Sequence, residues 1–254
     1  MNLTSIYNFE SKIALVTGAS RGIGKEICRE LLSSNCRVIG TYGSNDKIAD
    51  QCRQDFFEFG SNFLLKKNDV SSKTNAGSIF DYAYNIWGES VSFLVNNAGI
   101  LEQGEFDLLS ADAWDKTLSV NLRGPFLLSQ SFIRQTPVNG AIVNISSVGG
   151  QVGGDKAPDY AASKAALISL TKSVARIGSK VGIRSNSVAP GWIETDIFTD
   201  SRLSDLKEEA KSVIPLKRMG RSSEVARAVL FLLSEDASYI TGHCLNVNGG
   251  IYLG

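Results

Sequence analysis

Three residues in the second half of the chain could together carry out acid–base chemistry. Ser147 is followed by Tyr160 and Lys164 in the pattern S-x12-Y-A-A-S-K. A phenol and an amine four residues apart lie on one face of a helix. A positioned ammonium favours the phenolate, so the pair predicts a proton donor or acceptor that works near neutral pH. The hydroxyl of Ser147 could then hold a substrate oxygen.

A glycine-rich turn near the N-terminus predicts a cofactor site. Residues 17–24 read T-G-A-S-R-G-I-G, after an apolar run at 12–16 and before the helical spacing of Ile23, Ile27 and Leu31. Strand, turn and helix in this order let a dinucleotide pyrophosphate approach backbone N–H groups at the helix N-terminus. A structural turn has the same composition, but the flanking elements favour the cofactor. The two motifs predict a nicotinamide-dependent oxidoreductase that reduces a carbonyl or oxidises an alcohol.

The segment after the second predicted strand bears on which nicotinamide cofactor is used. NAD-specific sites place an acid there to hold the ribose 2′-hydroxyl. Residues 40–45 contain no acid, and the first one is Asp46. Arg21, inside the glycine turn, could meet a 2′-phosphate with its planar guanidinium, and Thr41 could assist. We therefore predict NADP(H) rather than NAD(H); the alternative for Arg21 is a solvated loop charge.

Apolar runs that alternate with amphipathic runs predict the elements that hold these residues. The predicted strands lie at 12–16, 37–42, 62–70, 92–96, 140–146, 183–188 and 244–247, and the predicted helices at 23–34, 74–88, 111–135, 159–180 and 222–234. This order predicts one α/β domain over 1–254, a Rossmann-type doubly wound sheet of about seven mostly parallel strands with helices on both faces. The polar, helix-prone stretch at 191–215 is the predicted substrate-binding lid.

Composition excludes several classes of function. Lys plus Arg and Asp plus Glu number 26 each, so no nucleic-acid or anionic membrane surface is expected. No apolar run approaches the roughly 18 residues that span a bilayer, and the N-terminus does not resemble a signal peptide, so a cytoplasmic location is expected. The single histidine, His243, has no cluster of metal ligands around it in the sequence, so no metal site is expected.

Motifs along essentially the whole chain resemble the short-chain dehydrogenase/reductase family. Among its members the chain looks most like the bacterial 3-oxoacyl-(acyl carrier protein) reductases. The residues that carry the resemblance are 12–24, 96–99, Asn121, Ser147, Tyr160, Lys164, 190–196 and 239–250.

The resemblance implies a role for each matching residue. Tyr160 is the general acid in reduction, Lys164 lowers its pKa and holds the nicotinamide ribose, Ser147 orients the carbonyl, and Asn121 helps to anchor a proton-supplying water chain. The implied NADP(H) contacts are Gly18, Ser20, Arg21, Gly22, Ile23, Gly24, Thr41, Asp69, Val70, Asn97, Ala98, Gly99, Tyr160, Lys164, Pro190, Gly191, Ile193 and Thr195. The expected substrate contacts are Ser147, Gly149, Gln151, Val152 and Trp192.

The chain departs from the family at two stretches that bear on its partners. Relatives that act on carrier-protein substrates carry arginines before the fifth strand and at the end of the helix with the Tyr–Lys pair. Here residues 136–140 read T-P-V-N-G and residues 178–182 read G-S-K-V-G, which makes docking of an acyl carrier protein doubtful. The substrate is expected to be a small carbonyl or alcohol, either free or thioester-linked.

Two further expectations concern assembly and alternative functions. The helices at 111–135 and 159–180 carry more apolar residues than one buried stripe needs, which, together with the resemblance, predicts a homotetramer. An alcohol dehydrogenase that works in the oxidative direction stays open as an alternative function. A non-catalytic dinucleotide sensor on the same fold is disfavoured, because such proteins usually lose the Tyr or the Lys that this chain keeps.

Overall fold

The computed structural model describes residues 6–135, 139–195 and 200–254, with side chains for all of these except 200–203. Its centre is a sheet of seven parallel strands in the order β3-β2-β1-β4-β5-β6-β9. The strands are β1 (Ile13–Val16), β2 (Arg37–Tyr42), β3 (Phe63–Lys67), β4 (Phe93–Asn96), β5 (Ala141–Ile145), β6 (Arg184–Pro190) and β9 (Cys244–Val247). The predicted fold class and all seven predicted strands are confirmed.

Helices cover both faces of the sheet because successive strand residues alternate between two cores. Ala14 and Val16 of β1 pack in one core, with the helices α1 (Gly22–Ser33) and α9 (Ser222–Leu233). Ile13 and Leu15 pack in the other. That second core contains side chains from α3 (Asn75–Trp87), α5 (Gly124–Gln135) and α7 (Pro158–Gly178). Strands that are buried on both faces read as continuous apolar runs, which is why the sequence pattern located them.

Three features of the described chain differ from the predicted elements. The predicted helix at 111–135 is two helices, α4 (Ala111–Leu118) and α5, joined by a π-helical turn at Ser119–Arg123. The helix α2 (Asp46–Asp55) was missed because it is short and mostly polar; the side chain of Asn45 caps it by accepting from the backbone N–H of Ile48 at 3.0 Å. A two-stranded sheet of β7 (Ile193–Glu194) and β8 (Gly220–Arg221) was also missed, because each strand has only two residues.

The order of the strands places a crevice beside the functional motifs. The chain leaves β1 towards β2 on one side and later returns to place β4 on the other side of β1. In open parallel sheets, ligands bind at the carboxyl ends of the strands where the order reverses in this way. The glycine turn follows β1, Asn97 follows β4 and Ser147 follows β5, so the topology brings all three to this edge.

The segment predicted as a lid contains the helix α8 (Asp200–Val213), and residues 196–199 lie outside the described residues. Ala210, Ile214 and Met219 form a small buried cluster with Trp192 packed against it. None of the helices that the structure describes is long and apolar enough to cross a membrane.

Candidate active site

Ser147, Tyr160 and Lys164 meet at the carboxyl edge of the sheet. Tyr160 and Lys164 lie one turn apart near the start of α7, where Pro158 occupies the first turn. The Tyr160 hydroxyl lies close enough to the side chain of Ser147 for Ser147 to lower the pKa of Tyr160, and Ser147 Oγ accepts from the backbone N–H of Gly149 at 3.1 Å. The Lys164 ammonium lies 5.6 Å from the centroid of the Tyr160 ring. The structure therefore brings together the three residues whose spacing predicted the chemistry.

Burial governs the protonation of this group. It raises the pKa of Tyr160, and the hydrogen bond from Ser147 opposes this effect only in part. It lowers the pKa of Lys164 from 10.5 to about 8. The Lys164 ammonium donates to the backbone carbonyl of Ile145 at 2.7 Å. Burial dominates the pKa of Tyr160 here, and the Lys164 amine is engaged by β5. The predicted lowering of the Tyr160 pKa by Lys164 stays a prediction. Tyr160 is thus neutral near pH 7, as a general acid must be.

Asn121 sits in the π-helical turn with its side chain fully engaged. Its amide donates to the carbonyl of Ile100 at 2.9 Å and to Ser163 Oγ at 3.1 Å, and its Oδ1 accepts from the N–H of Ile100 at 2.8 Å. A Cβ at Gly99 would lie 3.3 Å from Asn121 Oδ1 and 3.4 Å from Lys164 Nζ. Asn121 therefore ties the loop after β4 to α7 beside the lysine. Its predicted part in a water chain stays a prediction.

The glycine turn is a cradle that larger residues would fill. Gly18 and Gly22 have φ angles of +65° and +55°, which glycine adopts at no steric cost. A Cβ on Gly24 would collide with the carbonyl of Gly18 and the side chain of Asn97. The Arg21 side chain makes no cap hydrogen bond at the start of α1. A helix N-terminus directly behind a glycine turn is suited to a pyrophosphate.

The loop after β4 holds this cradle in place. The Thr17 hydroxyl accepts from the backbone N–H groups of Asn97 and Ala98, each at 3.0 Å. The Asn97 amide donates to the carbonyls of Thr17 at 2.9 Å and Gly18 at 3.1 Å. Thr17 and Asn97 are therefore structural partners, a pairing that sequence reasoning did not see because they are 80 residues apart. Together with the glycines of the turn, which leave no side chain in the cradle, these bonds show that the residues present fit a dinucleotide.

The predicted adenosine-binding residues lie beside β2 and β3. Arg21 is exposed. Thr41 is buried, and its Oγ1 has no hydrogen-bond partner among the described residues. A direct contact with a 2′-phosphate would therefore require the Thr41 side chain to move. Asp69 is exposed, and its Oδ1 accepts from the N–H and the hydroxyl of Ser71. Val70 is buried next to Gly124.

The predicted substrate wall is only partly assembled around Ser147. A Cβ on Gly149 would lie 3.5 Å from Ser147 Oγ, so this glycine does border the reacting group. Val152 is exposed, and Trp192 packs on the cluster beside α8. Gln151, by contrast, donates to Asn246 Oδ1 on β9 at 2.7 Å, and its own Oε1 is buried without a partner. Asn246 was not predicted, since a polar residue in an edge strand carries no signal of such a contact.

The residues predicted to contact the nicotinamide lie at the end of β6 and in the segment after it. Pro190 is the last residue of β6 and Gly191 follows it; a Cβ on Gly191 would lie 2.8 Å from the Cα of Asn248. Ile193 is buried in β7, and Thr195 follows this strand. A glycine cradle at the same sheet edge as a partly buried Ser–Tyr–Lys group, on a doubly wound sheet, defines the class of nicotinamide-dependent oxidoreductases.

Comparisons with known proteins agree with this class. The profile of the family described as Enoyl-(Acyl carrier protein) reductase matches residues 18–252. The chain is 40% identical to a 3-oxoacyl-[acyl-carrier-protein] reductase of Escherichia coli over 248 residues, which cover 97% of this chain and 99% of the relative. It is 39% identical to the reductase of the same description from Aquifex aeolicus, over 96% of this chain and 98% of the relative.

Solved structures show the same relationship. A short-chain dehydrogenase/reductase from Brucella melitensis, described as a glucose/ribitol dehydrogenase, matches with a TM-score of 0.90 and 32% identity over 98% of this chain and 99% of its own. A blue fluorescent protein from a metagenomic library, solved in complex with NADPH, matches with a TM-score of 0.87 and 32% identity over 97% of this chain and 100% of its own. The chain belongs to the short-chain dehydrogenase/reductase family and is an oxidoreductase.

Proposed function

We propose that this protein is an NADPH-dependent reductase that converts a 3-oxoacyl thioester, or a related ketone, into the secondary alcohol. The observation that supports this most directly is the placement of the Ser147 side chain beside a neutral Tyr160. The pair stands one helical turn from Lys164, at the same sheet edge as the glycine cradle. Two hydroxyls at one point suit a carbonyl oxygen that becomes an alcohol.

The residues of this chain have distinct tasks in such a reaction. The hydroxyls of Ser147 and Tyr160 hold and polarise the carbonyl oxygen. The bound nicotinamide supplies the hydride that reaches the carbonyl carbon. Tyr160 then gives its phenolic proton to the oxygen, so that one hydride and one proton convert the ketone into the alcohol. Lys164, with a pKa near 8, can pass a proton back towards the phenolate at neutral pH.

The raised pKa of Tyr160 keeps the phenol protonated at neutral pH, which is the state that reduction requires. A general base must be deprotonated before it accepts the proton of an alcohol, whereas a general acid must begin protonated. The oxidative alternative is therefore expected to gain ground only at alkaline pH.

NADP(H) is the proposed cofactor. The exposed guanidinium of Arg21 can bind a 2′-phosphate, and no carboxylate lies between residues 40 and 45. The similar structure solved with NADPH supports the same choice. The residues named above for the pyrophosphate, adenosine and nicotinamide contacts remain predictions of where the cofactor would lie.

The carrier of the acyl group is proposed to matter little. The relatives named above are described as acting on acyl-carrier-protein substrates. In this chain Val181 is 43% exposed at the end of the Tyr–Lys helix, and the other predicted docking stretch includes 136–138, which lies outside the described residues. An acidic carrier needs basic partners, and only Lys180, Arg134 and Arg176 stand near these stretches. We expect coenzyme-linked and carrier-linked substrates to be reduced at similar kcat/KM.

A homotetramer remains our proposal for the assembly, but fewer apolar residues than expected are left to form its interface. Leu128, Phe132 and Leu167 of the two predicted helices are buried in the core of the single chain, so they are not surplus apolar residues. Phe126 and Ile177 are 45% and 55% exposed on the same helices and stay available for an interface. Light scattering at micromolar concentration tests this, and a stable monomer would contradict it. A cytoplasmic location likewise stays a prediction.

Turnover measurements test the proposed function. NADPH oxidation is followed with a 3-oxoacyl-coenzyme A, the same acyl group on acyl carrier protein, a cyclic ketone and a 2-enoyl-coenzyme A. The enoyl substrate is included because the family profile is described by that reaction. Reduction of the 3-oxoacyl thioester that is lost in Tyr160→Phe supports the proposal. Preferred reduction of the enoyl thioester would reject it, and a hundredfold preference for the carrier protein that disappears at high salt would reject the part on the carrier.

A further inference from the structure

Asp46 occupies a position where an acid should hinder NADP(H). It is the first residue of α2 and lies four residues beyond the end of β2. In this fold the adenosine ribose is recognised at the end of the second strand, and an acid there favours a free 2′-hydroxyl. A carboxylate near this point would repel the dianionic 2′-phosphate of NADP(H). The chain nevertheless has Arg21 in the glycine turn, as predicted for an NADP(H) site. Whether the Asp46 carboxylate is free or paired therefore bears on which cofactor is bound.

The Asp46 carboxylate is engaged by two donors. Its Oδ1 accepts from the Tyr42 hydroxyl at 3.0 Å. The Lys67 ammonium lies 3.1 Å from Oδ1 and 3.0 Å from Oδ2. These two donors hold the pKa of Asp46 below its ordinary value, so the carboxyl stays ionised at neutral pH. The group is therefore a zero-charge cluster of one carboxylate, one ammonium and one phenol.

The sheet register builds this cluster. Tyr42 and Lys67 are paired neighbours at the ends of the parallel strands β2 and β3. The Tyr42 ring is buried, and the Arg53 guanidinium lies 5.5 Å from its centroid, so the phenol is held in one place. Because Tyr42 is fixed and Lys67 is its neighbour in the sheet, both donors point to the start of α2. The pairing of β2 with β3 therefore positions the two donors relative to Asp46.

We propose that Lys67, assisted by Tyr42, determines cofactor specificity by masking the charge of Asp46, so that the site accepts a 2′-phosphate despite an acid at the start of α2. The proposal rests on the proposed use of NADP(H). A carboxylate whose charge is matched by an ammonium at 3.0 Å has only a weak field at greater distances. Without Lys67 the Asp46 carboxylate has no ammonium partner, and the site then favours a ribose 2′-hydroxyl over a 2′-phosphate.

Binding of cofactor fragments tests the proposal without turnover. Calorimetry measures the Kd of adenosine 2′,5′-bisphosphate and of 5′-AMP for the whole protein and for Lys67→Met. We expect the bisphosphate to bind five- to tenfold more weakly to Lys67→Met, while 5′-AMP binds as before or more tightly. Asp46→Asn leaves the Lys67 ammonium unpaired, so it should bind the bisphosphate at least as tightly as the unmodified protein does. The double variant Lys67→Met/Asp46→Asn should recover the original Kd to within about twofold.

Lys66 offers a matched control on the same strand. Its ammonium lies 3.7 Å from the centroid of the Tyr82 ring instead of at Asp46, so Lys66→Met removes the same charge from the same strand, on the opposite face of the sheet, without exposing the acid. We expect less than a twofold change for it. Tyr42→Phe keeps the buried ring and should weaken the bisphosphate in the same direction as Lys67→Met, by a smaller factor. Melting temperatures of the free variants confirm that each is folded.

Each contrary result identifies what is wrong. Unchanged bisphosphate affinity in Lys67→Met overturns the masking role. A loss that Asp46→Asn does not restore shows that Lys67 contacts the phosphate itself, and an equal loss in Lys66→Met shows an effect of overall charge; either result rejects masking. If the unmodified protein does not prefer the bisphosphate to 5′-AMP, the proposed use of NADP(H) fails, and the masking proposal fails with it.

Discussion

The catalytic group and the adenosine end of the site are built in opposite ways. Lys164 is buried, and its neighbour Asn121 is held by hydrogen bonds to a loop and to another helix. At the adenosine end, Arg21 is exposed and Asp46 and Lys67 form an ion pair with 61% and 54% of their side chains exposed. Buried groups make each lost contact costly, whereas exposed charges are screened by water and salt. We therefore expect large effects at the first region and graded, salt-sensitive effects at the second.

The largest effect should come from removal of one oxygen atom. Tyr160→Phe keeps the ring but removes the proton donor and the hydrogen bond to Ser147. We expect kcat to fall by roughly 10²- to 10⁴-fold, with cofactor affinity retained. Steady-state turnover and calorimetric cofactor binding measure the two quantities. Near-normal turnover would show that the acid lies elsewhere.

The second-largest effect should come from a substitution of Gly24 in the glycine cradle. Gly24→Ala introduces a Cβ that meets the carbonyl of Gly18 and the Asn97 side chain. We expect a loss of about 2–4 kcal/mol in the free energy of unfolding, or a displaced turn that no longer binds cofactor. Gly77→Ala is the matched control, because nothing lies within 4 Å of the added atom in a helix. It should leave stability the same or raise it slightly.

Lys164 should make the stability of the free protein depend on pH. Its pKa is lowered from 10.5 to about 8, so between these values the unfolded chain binds more protons than the folded one. The free energy of unfolding should therefore rise with pH through this window. We expect Lys164→Met to be more stable than the unmodified protein by about 1–3 kcal/mol below pH 8.

That advantage should shrink as the pH approaches 10.5, and loss of the bond to the Ile145 carbonyl opposes it by about 1 kcal/mol. Chemical denaturation of both proteins from pH 6 to pH 10 measures the difference. A constant difference across this range would mean that burial does not disfavour the ammonium.

The smallest effect should lie at the exposed end. Arg21→Ala should reduce NADPH binding by about 1–3 kcal/mol through loss of a charge-assisted contact, with NADH nearly unaffected. The unmodified enzyme should favour NADPH at least tenfold in kcat/KM. Measurements at two salt concentrations sharpen the comparison, since the Arg21 effect should shrink with salt while the Tyr160 effect should not. Equal kcat/KM with NADPH and NADH for the unmodified enzyme would contradict the proposed preference for NADP(H).

The predicted elements were wrong where tertiary contacts, and not the local sequence pattern, determine the backbone conformation. Residues 111–135 read as one helix, yet Asn121 widens the chain into a π-helical turn so that its amide can reach Ile100 and Ser163. Residues 46–55 read as loop because only Ala49 and Cys52 are buried along α2. In each case the deciding contacts join residues far apart in the chain, and a periodic pattern contains no information about them.

The sequence by itself determined the class of the fold and the identity of the reacting groups. Seven apolar runs could be buried only as a parallel sheet, and the spacing of Tyr160 and Lys164 placed them on one face of a helix, because both are consequences of local geometry. Only the tertiary structure decided the charge states and the contacts: the raised pKa of Tyr160, the bond from Lys164 to Ile145, the bond from Gln151 to Asn246, and the ion pair between Asp46 and Lys67. Burial and cross-strand neighbours set these properties, and both arise only when distant segments pack together.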